Sequence, residues 1–215
     1  MLDFINWLPS LFSGLKITLL LTIGATCIAC PVALAAGLAR FSGNPFLYGP
    51  AACFIEIFRG TSALVQLFWF YYVLPHFGVR MEALTVGILA LGLNIGAYGA
   101  EVVRGAIQSV PKEQYEASKA LNFSRRQTLM RIILPQAFVA ILPPAGNLLI
   151  ELLKSTALVS MITLTELTFQ GQVLRASTLK SAEVFSLILI IYFLVALSIT
   201  FGVRQLERHF SYAKD

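Results

Sequence analysis

Residues 109–136 read SVPKEQYEASKALNFSRRQTLMRIILPQ, a polar, basic island between apolar segments long enough to cross a bilayer. It carries Lys112, Lys119, Arg125, Arg126 and Arg131 against Glu113 and Glu116, and no other stretch of comparable length is so polar. The local signals describe two short helices with a corner between them. Pro111 suits a first helical turn, where its missing N–H costs nothing, and Glu113 places negative charge near the positive end of the helix dipole. Tyr115, Glu116, Ala117, Lys119, Ala120 and Leu121 continue that helix, with Ala117, Ala120 and Leu121 as a small apolar stripe at helical spacing. Asn122 stops it in the left-handed conformation that closes helices. Ser124, with Gln127 three residues on, then opens a second helix through a capping box, and that helix meets Pro135.

Outside the island the chain is greasy. Of its 215 residues, 57% are hydrophobic and 13% charged, against roughly 25% charged in soluble domains. That composition points to an all-α integral membrane protein built as one bundle. A net charge of +5 would suggest nucleic acid in a soluble chain, but loops at the membrane surface account for the basic residues here, so no nucleic-acid partner is expected. Cys27 and Cys30 have the C-x-x-C spacing of zinc and redox sites. One pair cannot complete a four-ligand site, however, and an apolar helix disfavours thiolates, so both are expected to be small packing residues, and Cys53 stands alone. No metal or cofactor is expected.

Residues 1–13 lack the basic start of a cleavable signal peptide, and Phe4, Trp7 and Phe12 suit an outer interfacial lead-in. Residues 14–207 are expected to hold five spans, with 208–215 as a tail. Residues 17–39 carry no charge and make about 35 Å of helix, with Ala29, Ala33 and Gly37 as a stripe for close packing. A second span over 47–74 is broken near Arg59 and Gly60, and the break is expected toward the cytoplasmic side. The third covers 83–103 after a turn at Pro75, Gly78 and Arg80. The fourth covers 132–153, where Pro143 and Pro144 are expected to kink or unwind it, and the fifth covers 184–203. Between the last two, Thr163-x-x-Glu166 reads as a helix start. Leu164, Leu167, Gly171 and Leu174 suggest a helix along the outer interface.

Counting Lys and Arg on alternate sides orients the bundle. With the N-terminus outside, the cytoplasmic side holds Arg40, Arg59, Arg104, Lys112, Lys119, Arg125, Arg126, Arg131, Arg204, Arg208 and Lys214, and the other side only Lys16, Arg80, Lys154, Arg175 and Lys180. The positive-inside rule therefore puts the island and the C-terminal tail in the cytoplasm.

At the island the chain resembles the membrane-spanning permease subunits of binding-protein-dependent ABC importers, closest to the polar amino acid branch. Their cytoplasmic loop reads EAA, three residues, Gly, about nine more, then I-x-LP. The match here is Glu116-Ala117-Ser118, Asn122 and Ile132-Ile133-Leu134-Pro135, with Ser118 replacing the second Ala and Asn122 replacing Gly. Phe58-Arg59-Gly60-Thr61, Leu64-Val65-Gln66-Leu67-Phe68, Arg104-Gly105-Ala106-Ile107, Val110-Pro111-Lys112 and Lys154-Ser155-Thr156-Ala157-Leu158 extend it over nearly the whole chain, with Ser62 where the family usually has Pro. The resemblance implies a bacterial inner-membrane protein, two cytoplasmic ATPase subunits, an extracytoplasmic solute-binding protein, and a second permease subunit that is this chain or a paralogue. It also implies that Pro111, Lys112, Tyr115, Glu116, Ala117, Ser118, Ala120, Leu121 and Asn122 form a coupling helix between spans three and four, seated on the ATPase.

Polar groups within spans mark candidate routes for a solute. In the third span Asn94, Tyr98 and Glu101 recur at i, i+4 and i+7, while Gly92, Gly96 and Ala100 line a face about 165° away at 100° per residue. In the fourth, Asn147, Glu151 and Lys154 repeat the spacing. These six either face a pathway for a zwitterionic or cationic solute, or satisfy one another, or snorkel to the span ends near which Glu101 and Lys154 lie. His76 and His209 belong to no nucleophile and base arrangement, and G-x-x-x-x-G-K-[ST] is absent, so this chain is not expected to be an enzyme and its energy must come from elsewhere. The rival reading is an ion-coupled secondary transporter with Glu101 or Glu151 as the ion-carrying group.

Overall fold

The computed structural model describes residues 2–211, with side chains described from Asn6 to Phe210. Met1, the side chain of Phe4, and residues 212–215 with Lys214 lie outside the described residues. The chain order is α1 (Leu2–Phe41), α2 (Pro45–Gly60), α3 (Ala63–Phe68), α4 (Ala83–Gln108), α5 (Lys112–Ala120), α6 (Arg125–Thr128), α7 (Leu134–Ser155), α8 (Leu167–Thr178) and α9 (Ser181–Ser211). Four helical stretches are long and apolar enough to cross a membrane: Asn6–Phe41, Ala83–Gln108, Arg125–Ile162 and Ser181–Phe210. The helices Pro45–Gly60 and Ala63–Phe77 pass the same test only together, as a pair bent by 104° at the break between them, and counted as one broken span they make a fifth.

The scaffold is the parallel packing of α1 on α4, the most extensive helix contact among the described residues. The two small-residue stripes expected from the sequence meet here. A Cβ on Gly96 would stand 2.7 Å from Val32, and one on Gly37 would stand 2.8 Å from the Ala100 carbonyl oxygen. Hydrogen at these positions lets the backbones approach, so the helices gain dispersion contacts that lipid cannot supply. Around this pair, α3 and the segment Thr156–Ile162 fill one end of the bundle, with Leu21, Leu67, Ala90, Leu91 and Val159 in its core. Val103, Ile107, Val110, Ile133 and Ala137 form a second core at the opposite end, packed against Tyr115 of α5.

Several local expectations are revised by packing. α1 is one uninterrupted helix, with no boundary near residue 13. Trp7 does not sit outward at an interface: it is 6% exposed, in a core with Leu11, Leu167, Val184 and Ile188. Burying an indole against two other helices, α8 and α9, outweighs its preference for headgroups. Cys27, Cys30 and Cys53 face outward instead of packing inside, and Cys30 borders an apolar groove of about 280 Å³ between α1, α4 and α7. Pro143 and Pro144 leave α7 helical throughout. Pro135 is absorbed by a π turn over Leu129–Ile133, where the Leu134 N–H bonds the Leu129 carbonyl, so α6 and α7 join into one rod.

Thr163 does not open α8. It closes the preceding 3₁₀ segment in the left-handed region, with φ 67°, an uncommon conformation for a β-branched residue. Glu166, three residues later, is the cap itself. Its carboxylate accepts from the N–H groups of Thr168 and Phe169, each at 2.8 Å.

Candidate functional site

The break in the second span lies opposite the middle of α4, deeper than its sequence position suggested. The Phe58 carbonyl, freed where α2 ends, accepts from Gln66 Nε2 at 2.8 Å and from Asn94 Nδ2 at 3.1 Å. Gln66 Nε2 also donates to Thr61 Oγ1 at 2.8 Å, and Gln66 Oε1 accepts from Asn94 at 3.0 Å. Two buried amides thus hold both arms of the 104° bend to α4. On the other side of the bend, Gly60, Thr61 and Ser62 are exposed.

Replacing Gln66 by leucine is expected to destabilise the protein by about 1–3 kcal/mol, because the buried Asn94 amide loses one of its two acceptors and the Phe58 carbonyl one of its two side-chain donors. Thermal unfolding in detergent measures this, and an unchanged midpoint would show that the clamp is dispensable.

Below Asn94 on α4, the Arg59 guanidinium carbon lies 5.4 Å from the centre of the Tyr98 ring. Glu101 is committed to neighbours: Arg104 donates to its Oε2 at 2.6 Å, and Arg40 Nε lies 3.4 Å from its Oε1, charge-paired without a hydrogen bond. Arg40 also reaches Glu56 at 3.2 Å. One ionic chain therefore ties α1, α2 and α4 together.

The three polar residues of the fourth span stand apart from these. Ala140, Pro143, Asn147, Glu151 and Lys154 form one exposed stripe along α7. Among the described residues, no ion pair or hydrogen bond joins Asn147, Glu151 and Lys154 to Asn94, Tyr98 and Glu101. The six candidates thus divide into a clamp residue (Asn94), a half-buried middle (Tyr98, Glu101) and an outward-facing stripe.

The island folds as its caps dictate. Asn122 adopts φ 58°, and the Phe123 N–H bonds the Ser118 carbonyl at 3.0 Å while the Asn122 N–H bonds that of Lys119 at 2.9 Å, the two bonds of a Schellman ending. Ser124 and Gln127 exchange both capping-box bonds, at 2.9 and 3.3 Å. Pro111 is the N-cap of α5 rather than its first helical residue. One face of α5 is fastened inward: Ser118 is fully buried, and the Tyr115 hydroxyl donates to the Ile107 carbonyl at 3.3 Å. Burial pushes that hydroxyl above its ordinary pKa, so it keeps the proton it donates. Lys112, Glu113, Glu116, Ala117, Lys119, Ala120 and Leu121 remain exposed on the opposite face of this short helix.

A further polar centre was not singled out by its chemistry in the sequence. Glu166, 0% exposed, also accepts from the Tyr192 hydroxyl of α9 at 3.1 Å, while the Leu167 N–H bonds Thr18 of α1 at 3.2 Å. Gly14 allows this junction, since a Cβ there would stand 2.8 Å from Leu167 Cα. Burial pushes the Glu166 carboxyl up, against the pull of two backbone N–H groups and two hydroxyls. Gln66 and Glu166 were both visible as polar residues inside apolar runs, but nothing local named their partners 28 and 26 residues away.

Known proteins bear on this arrangement. Residues 29–212 match the family model described as the binding-protein-dependent transport system inner membrane component. The chain is 44% identical over 212 residues to a probable amino-acid ABC transporter permease protein, y4tF, of Sinorhizobium fredii, covering 96% of this chain and 89% of that one. It is 36% identical over 203 residues to the glutamine transport system permease protein GlnP of Escherichia coli, covering 94% and 93%. Among solved structures, a chain in the crystal structure of an amino acid ABC transporter with histidines superposes with TM-score 0.90 at 36% identity, covering 97% of each. A helical bundle of spans without a nucleotide-binding loop, matched along most of its length by these proteins, belongs to the binding-protein-dependent transport system inner membrane component family, as an ABC importer permease whose ATP hydrolysis resides in a separate subunit.

Proposed function

We propose that this permease passes a polar amino acid, or an amino-acid-like solute, inward through a path that runs past the broken second span. Irregular backbone at membrane depth is tolerated only where protein covers it or water reaches it, and Gly60, Thr61 and Ser62 are exposed beside a clamp at the middle of α4. That observation carries the path. The exposed α7 stripe, with Asn147, Glu151 and Lys154, supplies polar groups on a second wall, and Glu151 faces the ammonium end of the solute. The solute class follows from the names of the relatives.

In the same reading, residues 111–122 are the coupling helix, seated in a groove on one of two cytoplasmic ATPases. The N-terminus is outside and the C-terminus is cytoplasmic, a solute-binding protein delivers from the outer side, and a second permease subunit completes the pore. ATP-driven closure pulls α5, and the core under Tyr115 carries the movement into α4 and α7. Residues 1–13 are the outer N-terminal segment, 14–207 form the transport domain, and 208–215 are the cytoplasmic tail.

Vesicles containing the complete importer test this. Uptake is expected to require ATP on the ATPase side, and persistence on an ion gradient alone would overturn the reading in favour of a secondary transporter. Glu151→Gln is expected to weaken solute handling about 10-fold, the order of one charged hydrogen bond. Asn94→Ala is expected to lower the rate through loss of the clamp. Wild-type rates and affinities in both would remove the path from these helices.

A further inference from the structure

We propose that Arg59 is the intramembrane anchor for the solute's carboxylate, an inference that rests on the amino-acid reading above. Arg59 closes the last turn of α2, next to the Phe58 carbonyl that Asn94 holds at the middle of α4. Its guanidinium lies beside Tyr98, in the middle turns of the candidate span α4, and a cation within a span is costly and is kept for a partner or a path. The other charges nearby are taken: Arg40 pairs with Glu56 and Glu101, and Arg104 pairs with Glu101. Among the described residues Arg59 has no carboxylate within 4.0 Å, and three guanidiniums share two carboxylates. The site lacks one negative charge.

The geometry shows where that charge goes. Tyr98 covers one face of the guanidinium, which holds the plane by a cation–π contact while the five N–H donors radiate from its exposed edge. That edge is a fork matched to a carboxylate. Beside it, Gly60 has no atom within 4 Å of where a Cβ would stand, so room for a ligand adjoins the donors. Compensating the negative end of the α2 dipole explains a basic residue in this turn, but a lysine would serve that purpose as well, and it would not require an aromatic platform. Because every α-amino acid carries the same carboxylate, Arg59 reads the common part of the solute, and side-chain selection falls to other groups.

The test uses the permease assembled with its ATPase and binding protein in proteoliposomes, and the twenty radiolabelled L-amino acids as probes. Wild type identifies which are carried. For those, Arg59→Met is expected to lose about 10- to 100-fold in uptake, the range of a charged hydrogen-bonded pair, and to lose their binding to the permease–ATPase complex without the binding protein. Basal ATP hydrolysis should be retained. Arg59→Lys should recover part of the binding, because it keeps the charge without the fork, and it decides the case if the Met variant does not fold. Binding and uptake at wild-type level in Arg59→Met, or in Arg59→Lys where it alone folds, would overturn the proposal while leaving the importer intact. Dissociation of the permease pair by size exclusion in either variant would also overturn it, by assigning Arg59 to a carboxylate of the second subunit. If wild type carries none of the twenty with ATP, it is the amino-acid reading itself that fails.

Discussion

Replacing Ala117 by tryptophan is expected to cut ATP-driven uptake about 10- to 100-fold, the penalty of forcing a large side chain into a packed contact, while the protein still inserts and its partner still hydrolyses ATP. Ala117 lies on the exposed face of α5, so the free protein has space for the indole. The helix cannot tilt to accommodate it once docked. Ser118 is buried beneath it, Tyr115 is tied to Ile107, and the Schellman ending fixes the corner to α6. The strain then falls on the seat itself, which separates from the motor. Parallel assays of hydrolysis and uptake on one preparation measure the uncoupling, with Ala117→Ser as the tolerated control. Undiminished uptake in the tryptophan variant would remove α5 from the coupling route.

Replacing Glu166 by alanine is expected to produce the largest loss of stability, about 3 kcal/mol. Losing an N-cap costs about 0.5–2 kcal/mol, and each buried donor left without an acceptor adds about 1–3 kcal/mol, partly relieved by rearrangement. Three donors depend on this carboxylate: the N–H groups of Thr168 and Phe169 and the hydroxyl of Tyr192. Glu166→Gln should cost much less, because it keeps an acceptor oxygen and because burial already pushes the carboxyl toward its neutral form. Thermal unfolding in detergent of both variants, and of each combined with Tyr192→Phe, measures the coupling. An alanine variant as stable as wild type would show that water replaces the carboxylate.

The Glu166 junction and the proposed coupling helix lie at opposite ends of the bundle. The junction of Glu166, Thr18 and Tyr192 joins α1, α8 and α9, and the core under Tyr115 joins α4, α5 and α7. The parallel pair α1 and α4 runs between them.

What could be read along the chain was whatever depends on neighbours within one or two turns. Asn122 adopts the left-handed cap expected of it, Ser124 and Gln127 close their box, and the stripes Ala29-Ala33-Gly37 and Gly92-Gly96-Ala100 face each other. The apolar runs likewise announce the spans, because backbone in lipid must satisfy itself within a helix. Packing decided the rest. Trp7 lies inside because α8 and α9 converge on it, and Glu166 took the cap expected of Thr163 because a hydroxyl on α9 and a close approach by α1 made a buried carboxylate affordable there. The depth of the break at Gly60 depends on two amides 28 residues apart meeting one carbonyl. Local preferences are properties of a segment, whereas a buried polar group is placed by partners that only folding brings within hydrogen-bonding distance.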